Sequence, residues 1–267
     1  MKIAFIGGGN MGEAILGALI QKNICPPQDI TVSEIKAERR AFLENTYGIK
    51  TTPSNPEAIK NTEVVLLAIK PQNLAELSAG LKGKLAETQL VISIIAGATL
   101  SKLSSGLGHK AVVRVMPNTP AMIGMGMSIW TALPAVNPTQ KEQAKSILYA
   151  MGKEIYTDKE NMLDAATAIS GSGPAYFFLF MESLEKAALE MGFTPEEATV
   201  LVSQTAAGSA VYAGKSGLPL AQLRKNVTSP GGTTAEAIKV FEEAGLETTV
   251  IKAAKAAFDR SVELGKG

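Results

Sequence analysis

Lys2-Ile3-Ala4-Phe5-Ile6-Gly7-Gly8-Gly9-Asn10-Met11-Gly12 is the stretch that decides the fold class. Ile3–Ile6 is an apolar run of strand length. G-x-G-x-x-G spacing at Gly7, Gly9 and Gly12 follows at once, and a helical stretch, Met11–Lys22, follows that. In this context each glycine has its own task. Gly7 permits a tight turn, Gly9 lets the backbone approach a pyrophosphate, and Gly12 lets the helix pack on the sheet. The bare N–H groups at the helix start favour a negative ligand. A second apolar run, Asp29–Ser33, ends at Glu34, 22 positions after Gly12. An acid at that distance accepts hydrogen bonds from an adenosine ribose and favours NAD over NADP. Lys36, Arg39 and Arg40 follow within six residues. They read either as a set that neutralises a 2′-phosphate or as the solvated face of the next helix, so the cofactor preference stays open.

Outward from this unit the pattern repeats. Glu63–Ile69, Gln89–Ile94 and Ala111–Val115 read as buried strands; Lys36–Tyr47, Pro71–Leu81 and Leu100–Ser105 read as helices. Alternating strands and helices form βαβ units, hence a parallel sheet with both faces covered. Met125–Trp130, Thr139–Met151 and Glu154–Tyr156 extend the same sheet. The texture changes near residue 160. Asn161–Ile169, Ala175–Met191, Pro195–Ala213, Leu220–Asn226, Thr234–Ala244 and Glu247–Leu264 all read as helices. The third opens on a capping box, Thr194-Pro195-Glu196-Glu197. The fold class is therefore α/β, with a dinucleotide-binding Rossmann domain over residues 1–160 and an all-α domain over 161–267. In the second, Ala175–Met181 is apolar all round, which calls for burial on every side. About 107 residues of helix cannot supply that alone, and Ala206-Ala207-Gly208-Ser209-Ala210 offers small residues where helix backbones approach closely. The second domain reads as a dimerisation domain.

Composition narrows the function classes. The chain has 267 residues, 46% hydrophobic, with a net charge of +1. It is large enough to need no disulfide or metal staple, and it lacks the basic footprint of a nucleic-acid binder. The charge divides as +4 on residues 1–160 and −3 on 161–267, too small a split to decide a ligand. One cysteine, Cys25, and one histidine, His109, do not supply a zinc site. His109 lies in Gly106-Leu107-Gly108-His109-Lys110, which reads as a solvated surface turn. No run approaches the roughly 20 apolar residues of a membrane span, and the N-terminal apolar run is too short for a signal segment. The expectation is a soluble, cytoplasmic protein without membrane or nucleic-acid partners.

Asn226-Val227-Thr228-Ser229-Pro230-Gly231-Gly232-Thr233-Thr234-Ala235-Glu236 stands out in the helical half. Thr233 and Glu236 fit a capping box. That leaves Ser229-Pro230-Gly231-Gly232 unexplained, and bare amides at a helix start make an anion site suited to a small carboxylate. Ser170-Gly171-Ser172-Gly173-Pro174 opens the apolar helix in a similar way.

With these motifs in hand, the chain resembles the pyrroline-5-carboxylate reductase family over its whole length. The resemblance rests on Gly7–Gly12, Ala68-Ile69-Lys70-Pro71, Arg114-Val115-Met116-Pro117-Asn118-Thr119-Pro120, Ser170–Pro174 and Asn226–Thr234. It implies the last step of proline synthesis, with NADP or NAD as cofactor. It also implies a homodimer with interlaced helical domains, sometimes in a larger ring of dimers. On the cofactor it implies that the glycine loop, with Asn10 and Met11, holds the pyrophosphate. Ser33, Glu34 and Asn55 approach the adenosine side, Ala68–Pro71 and Ala96-Gly97 line the nicotinamide side, and Asn226 lies near the cofactor. Members often carry a small polar residue where Glu34 stands, which again bears on NADP. Gly231, Gly232, Thr233 and Thr234 look like the substrate carboxylate cradle, contributed across the dimer.

Hydride transfer to a protonated cyclic imine needs donor and acceptor held face to face more than it needs an acid–base dyad. Among the residues, Thr234 or a water is the candidate proton donor. Lys70 reads as backbone shaping, and Arg114 reads equally as a carboxylate grip or a structural ion pair. A 3-hydroxyacid dehydrogenase with the same layout is the rival. It needs a Lys or His base, and Lys186 has Glu190, not Asn, at helical spacing. A non-catalytic cofactor-binding regulator would need only the glycine loop.

Overall fold

The computed structural model describes residues 1–266. One compact unit comprises Met1–Ser172 with the last turns of the chain from Ala257; the other is Gly173–Ala256. The first unit runs β1 (Ile3–Ile6), α1 (Asn10–Gln21), β2 (Ile30–Ser33), α2 (Ala37–Tyr47), β3 (Lys50–Thr52), α3 (Asn55–Ala58), β4 (Val64–Leu67), α4 (Leu74–Leu81) and β5 (Leu90–Ser93). It continues through α5 (Leu100–Leu107), β6 (Val112–Met116), β7 (Gly126–Ala132), α6 (Pro138–Met151), β8 (Gly152–Tyr156) and α7 (Met162–Ala166).

The eight strands form one sheet in the order β3-β2-β1-β4-β5-β6-β7-β8. β1 to β6 are mutually parallel, β7 is antiparallel to β6, and β8 is parallel to β7. The chain steps outward from β1 to β2 and β3, then crosses back to β4 on the other side. That reversal opens a crevice beyond the carboxyl ends of β1 and β4.

The period of two explains why the strands are buried on both faces. Ile3, Phe5, Val64, Leu66, Leu90 and Ile92 join one core, under Ile15, Leu16 and Leu19 of α1 and Leu43 of α2. Ala4, Ile6, Val65, Leu67 and Val91 join the other, under Leu77 and Leu81 of α4 and Leu103 and Leu107 of α5.

One expectation is corrected. Thr139–Met151, read as a sheet extension, is helix α6. Asn137 and Gln140 form a reciprocal capping box, with Pro138 at the first turn. Ala144, Ile147, Leu148 and Met151 then recur at helical spacing on its buried side.

The second unit holds α8 (Gly173–Glu190), α9 (Pro195–Ser216), α10 (Leu220–Asn226), α11 (Thr233–Glu243) and the start of α12 (Leu246–Lys266). The first compact unit runs on to residue 172. Leu163 and Ala168 are buried, and Glu160 and Asp164 pair with Arg114 on β6, which keeps α7 in the first unit. Among the described residues of the second unit the buried apolar side chains are Ala198 and Val202, whereas Phe177, Phe178 and Leu179 are 70%, 62% and 65% exposed. No described helix is long and apolar enough to cross a membrane.

Candidate active site

The glycine loop joins β1 to α1 in the crevice. Gly7 has φ +102°, and a Cβ there would lie 2.7 Å from the Ala68 carbonyl oxygen; a Cβ on Gly12 would lie 2.6 Å from that of Gly7. Backbone forbids a side chain at both. Gly9 differs: it caps α1, and a Cβ would meet nothing within 4 Å. Its front is open, so the room is there for a ligand to reach the unpaired amides of the first helical turn. The loop thus fits a pyrophosphate. Gly8, which the spacing motif leaves free, is also constrained: its Cβ would lie 2.7 Å from Leu43 Cδ1.

Glu34 and Arg39 hold this loop from two sides. The Gly8 amide donates to Glu34 Oε2 at 3.0 Å, and Arg39 Nε donates to the Gly8 carbonyl at 2.6 Å. Arg39 also pairs with Glu13, which accepts from Tyr47 Oη at 2.8 Å. Arg40 donates to the carbonyls of Glu34 and Ile35, each at 2.9 Å. Neither arginine is a merely solvated helix face; both keep positive charge beside Glu34. Ser33 Oγ donates to Asn55 Oδ1 at 2.6 Å, so the two residues expected on the adenosine side meet.

Ala68–Pro71 leave the end of β4 and Ala96-Gly97 leave the end of β5. Lys70 is exposed and precedes a single 3-10 turn, Pro71–Asn73. Gly97 has φ +72°, and its Cβ would lie 3.3 Å from the Leu264 carbonyl oxygen.

Arg114 is 5% exposed and donates to Glu160 Oε1 at 2.9 Å, with Asp164 Oδ1 at 3.5 Å. Of its two readings, the structural ion pair holds. His109 is a correction. It is 6% exposed rather than solvated, with Nε2 2.7 Å from the Gln89 carbonyl oxygen. The left-handed turn at Gly108 places it at the amino ends of the interior strands β5 and β6, where it bonds main chain. Cys25 is buried, and burial pushes its thiol up to about 11, so it is no nucleophile at neutral pH. Lys186, the rival reading's base, is exposed and pairs with Glu182 at 3.0 Å.

Two motifs separated in sequence touch. Asn118 Nδ2 donates to the Ser170 carbonyl at 3.1 Å, and Asn118 Oδ1 accepts from the Met127 amide at 2.8 Å. Gly171 packs against the flexible end of the Met116 side chain, Cε. Asn118, within the Arg114–Pro120 motif, bridges two backbone groups that no local pattern marks.

The structure therefore gathers Gly7, Gly9, Asn10, Met11, Gly12, Ser33, Glu34, Asn55, Ala68–Pro71, Ala96 and Gly97 at the carboxyl edge of the sheet. Asn226 and Gly231–Thr234 belong to the second unit. Asn226 ends α10 and accepts from Gln222 Nε2 at 2.7 Å. At α11 the expected capping box is absent. Gly232, not Thr233, is the N-cap, and no side chain caps the helix. The Ala235 and Glu236 amides donate to the Gly232 carbonyl at 3.0 and 3.3 Å. Thr233 is the first helical residue, one position too far in to cap, so its hydroxyl and that of Thr234 both remain for other work. Gly231, at φ +71°, turns the chain into this helix.

The model for pyrroline-5-carboxylate reductase dimerisation matches residues 160–264, and that for NADP oxidoreductase, coenzyme F420-dependent, matches residues 2–97. A pyrroline-5-carboxylate reductase of Synechocystis is 42% identical over 266 residues, covering 100% of this chain and 99% of the relative. Among solved structures, a pyrroline-5-carboxylate reductase of Coxiella burnetii superposes with a TM-score of 0.93 at 40% identity, covering 100% of this chain and 99% of that one. The Plasmodium falciparum pyrroline carboxylate reductase with NADP bound superposes with a TM-score of 0.90 at 34% identity, covering 99% and 98%.

Proposed function

The chain belongs to the pyrroline-5-carboxylate reductase family, and from that premise we propose that Gly231, Gly232, Thr233 and Thr234 hold the carboxylate of its substrate, with Thr234 beside the reacting imine. The reaction is reduction of 1-pyrroline-5-carboxylate to L-proline with NADPH or NADH, in proline biosynthesis. When bound, the reduced nicotinamide supplies the hydride.

The residues of the chain do the rest by holding and orienting. The glycine loop with Asn10 and Met11 takes the pyrophosphate on free amides. Ser33, Glu34 and Asn55 take the adenosine side, Ala68–Pro71 with Ala96 and Gly97 the nicotinamide side, and Asn226 a place near the cofactor. The single observation that carries the substrate reading is the uncapped start of α11. The Gly232, Ala235 and Glu236 amides bond within the chain, so with no side-chain cap the Thr233 and Thr234 amides are the ones left for an external anion, and the helix dipole adds to that preference. A carboxylate there fixes the ring of a small imine, and Thr234 Oγ1 then offers a hydroxyl to its nitrogen or to a water that protonates it. Holding of this kind lowers a two-body barrier without a dedicated acid–base pair.

Thr234→Ala tests this. A hydrogen bond to a charged group is worth about 1.5–3 kcal/mol, so kcat/KM for the imine is expected to fall roughly 10- to 150-fold. Cofactor affinity and thermal stability are expected to stay put, because no cap is lost. A variant whose imine kinetics and cofactor affinity fall together, or in which neither moves, removes the substrate assignment.

The homodimer that the dimerisation domain supports is, in the same reading, a building block for a larger ring of dimers, and the protein acts in the cytoplasm. Molar mass by light scattering tests the ring.

A further inference from the structure

We propose that Ser261 is a positioning residue for the reduction: through Asp164 and Arg114 it fastens the last turns of α12 against the Ala96-Gly97 loop. The proposal rests on the reading of that loop as the nicotinamide side.

Ser261 is 6% exposed, the buried side chain among the described residues of α12, and it is polar. A helix that docked only by apolar contact would place an aliphatic residue there. Instead Ser261 Oγ donates to Asp164 Oδ1 at 2.9 Å. Asp164 Oδ1 is 3.5 Å from the Arg114 guanidinium, which also donates to Glu160 Oε1 at 2.9 Å. Glu160 Oε1 in turn accepts from the amide of Leu100 at 2.7 Å, at the first residue of α5. The chain of bonds thus starts at α12 and ends at Leu100, the residue that opens α5 just after the β5–α5 loop. Gly97 in that loop has its α-carbon face against the Leu264 carbonyl, one turn beyond Ser261.

Ile95 and Ala98, each 2% exposed, anchor the two sides of this loop in the apolar core, and Ala96-Gly97 stand between them. The loop's own hydrogen bonds are the Ala98 amide to the Ile95 carbonyl at 3.2 Å and the Ile95 amide to Ser93 Oγ at 3.3 Å. At Gly97 the backbone takes the left-handed region, open to glycine, so the residue that fits the close approach is also the most pliant one. The core holds Ile95 and Ala98; what holds the helix against Gly97 is the polar chain from Ser261. Hydride transfer is sensitive to this: a misplacement of about 1 Å can cost roughly 100-fold.

The test compares Ser261→Ala with Ser261→Thr, which retains the hydroxyl. In cofactor-free protein, amide hydrogen exchange at Gly97 and Ala98 is expected to speed up about tenfold or more in Ser261→Ala and to return towards the native rate in Ser261→Thr. With cofactor, Ser261→Ala is expected to lose roughly tenfold or more in kcat with little change in KM for the imine. Should Ser261→Ala not fold, Ser261→Cys, a weaker donor of similar size, is measured in its place. Unchanged exchange at the loop overturns the fastening. Faster exchange with unchanged kcat overturns the positioning role. The underlying reading has its own check in the native protein: NADPH must slow exchange at Gly97 and Ala98. If it does not, the loop is not at the nicotinamide end, whatever Ser261 does.

Discussion

Glu34 does two things that pull in different directions. Its carboxylate accepts from the Gly8 amide and, through Oε1, from the Lys36 amide at 3.0 Å, so it shapes the glycine loop. It also carries a negative charge at the end of β2, where the adenosine ribose is expected, while Arg39 and Arg40 lie beside it. Two unit charges 4 Å apart interact by about 4 kcal/mol at an effective dielectric constant near 20, which makes Glu34 a deterrent to a 2′-phosphate that the arginines partly offset. Glu34→Gln keeps an acceptor for the Gly8 amide and removes the charge. The ratio of kcat/KM for NADPH to that for NADH is expected to rise about tenfold or more, roughly 1.4 kcal/mol of relieved repulsion. Steady-state kinetics with both cofactors check it. An unchanged ratio means that Glu34 does not face the ribose and serves the loop alone.

Helix starts show how far a side-chain pattern can be trusted at the scale of one element. Thr194 and Glu197 exchange bonds at 3.3 and 2.9 Å at the start of α9, as their spacing foretells. Thr233 and Glu236 have the same spacing and do not. A capping box requires the hydroxyl residue at the N-cap itself, and at α11 the glycine before it takes that place. Thr194→Ala is therefore expected to cost about 1 kcal/mol in denaturant unfolding, whereas Thr233→Ala is expected to stay within about 0.5 kcal/mol. Equal losses would restore the capping box at α11. The same limit explains what else was legible. β1, β2, β4, β5 and β6 are continuous apolar runs because both faces are covered, and they stand out. β3 and α3 do not, because Lys50-Thr51-Thr52 sits at the sheet's edge with one buried residue and Asn55–Ala58 is a single turn. Of the candidate site, the glycine loop is legible because it is local; Ser33 and Asn55 come only from the family resemblance, and their hydrogen bond joins residues 22 positions apart that no local pattern pairs. His109 and Gly8 are not legible either, since their burial comes from Gln89 and Leu43, whose approach no local pattern encodes.

At the scale of the whole molecule the two units differ in how far they satisfy themselves. The first closes two apolar layers around its sheet. The second leaves Phe177, Phe178, Leu179 and Val200 more than half exposed and buries little of its own apolar surface. A soluble monomer rarely shows a contiguous apolar patch beyond a few hundred Å2, so these helices need a second copy, in keeping with the dimerisation model matched over residues 160–264. Folding of the second unit is then linked to association, and its apparent stability must depend on protein concentration. The melting temperature of the second unit is expected to rise with concentration, and sedimentation at low concentration is expected to show dimer giving way to an expanded monomer whose second unit is unfolded while the first stays compact. Phe178→Glu places a charge in that face and is expected to shift the equilibrium strongly to the monomer. It should abolish reductase activity while leaving the first unit's cofactor affinity measurable by fluorescence titration, because that unit carries a core of its own. A compact Phe178→Glu monomer with full activity would show instead that the apolar helices serve neither the assembly nor the substrate site.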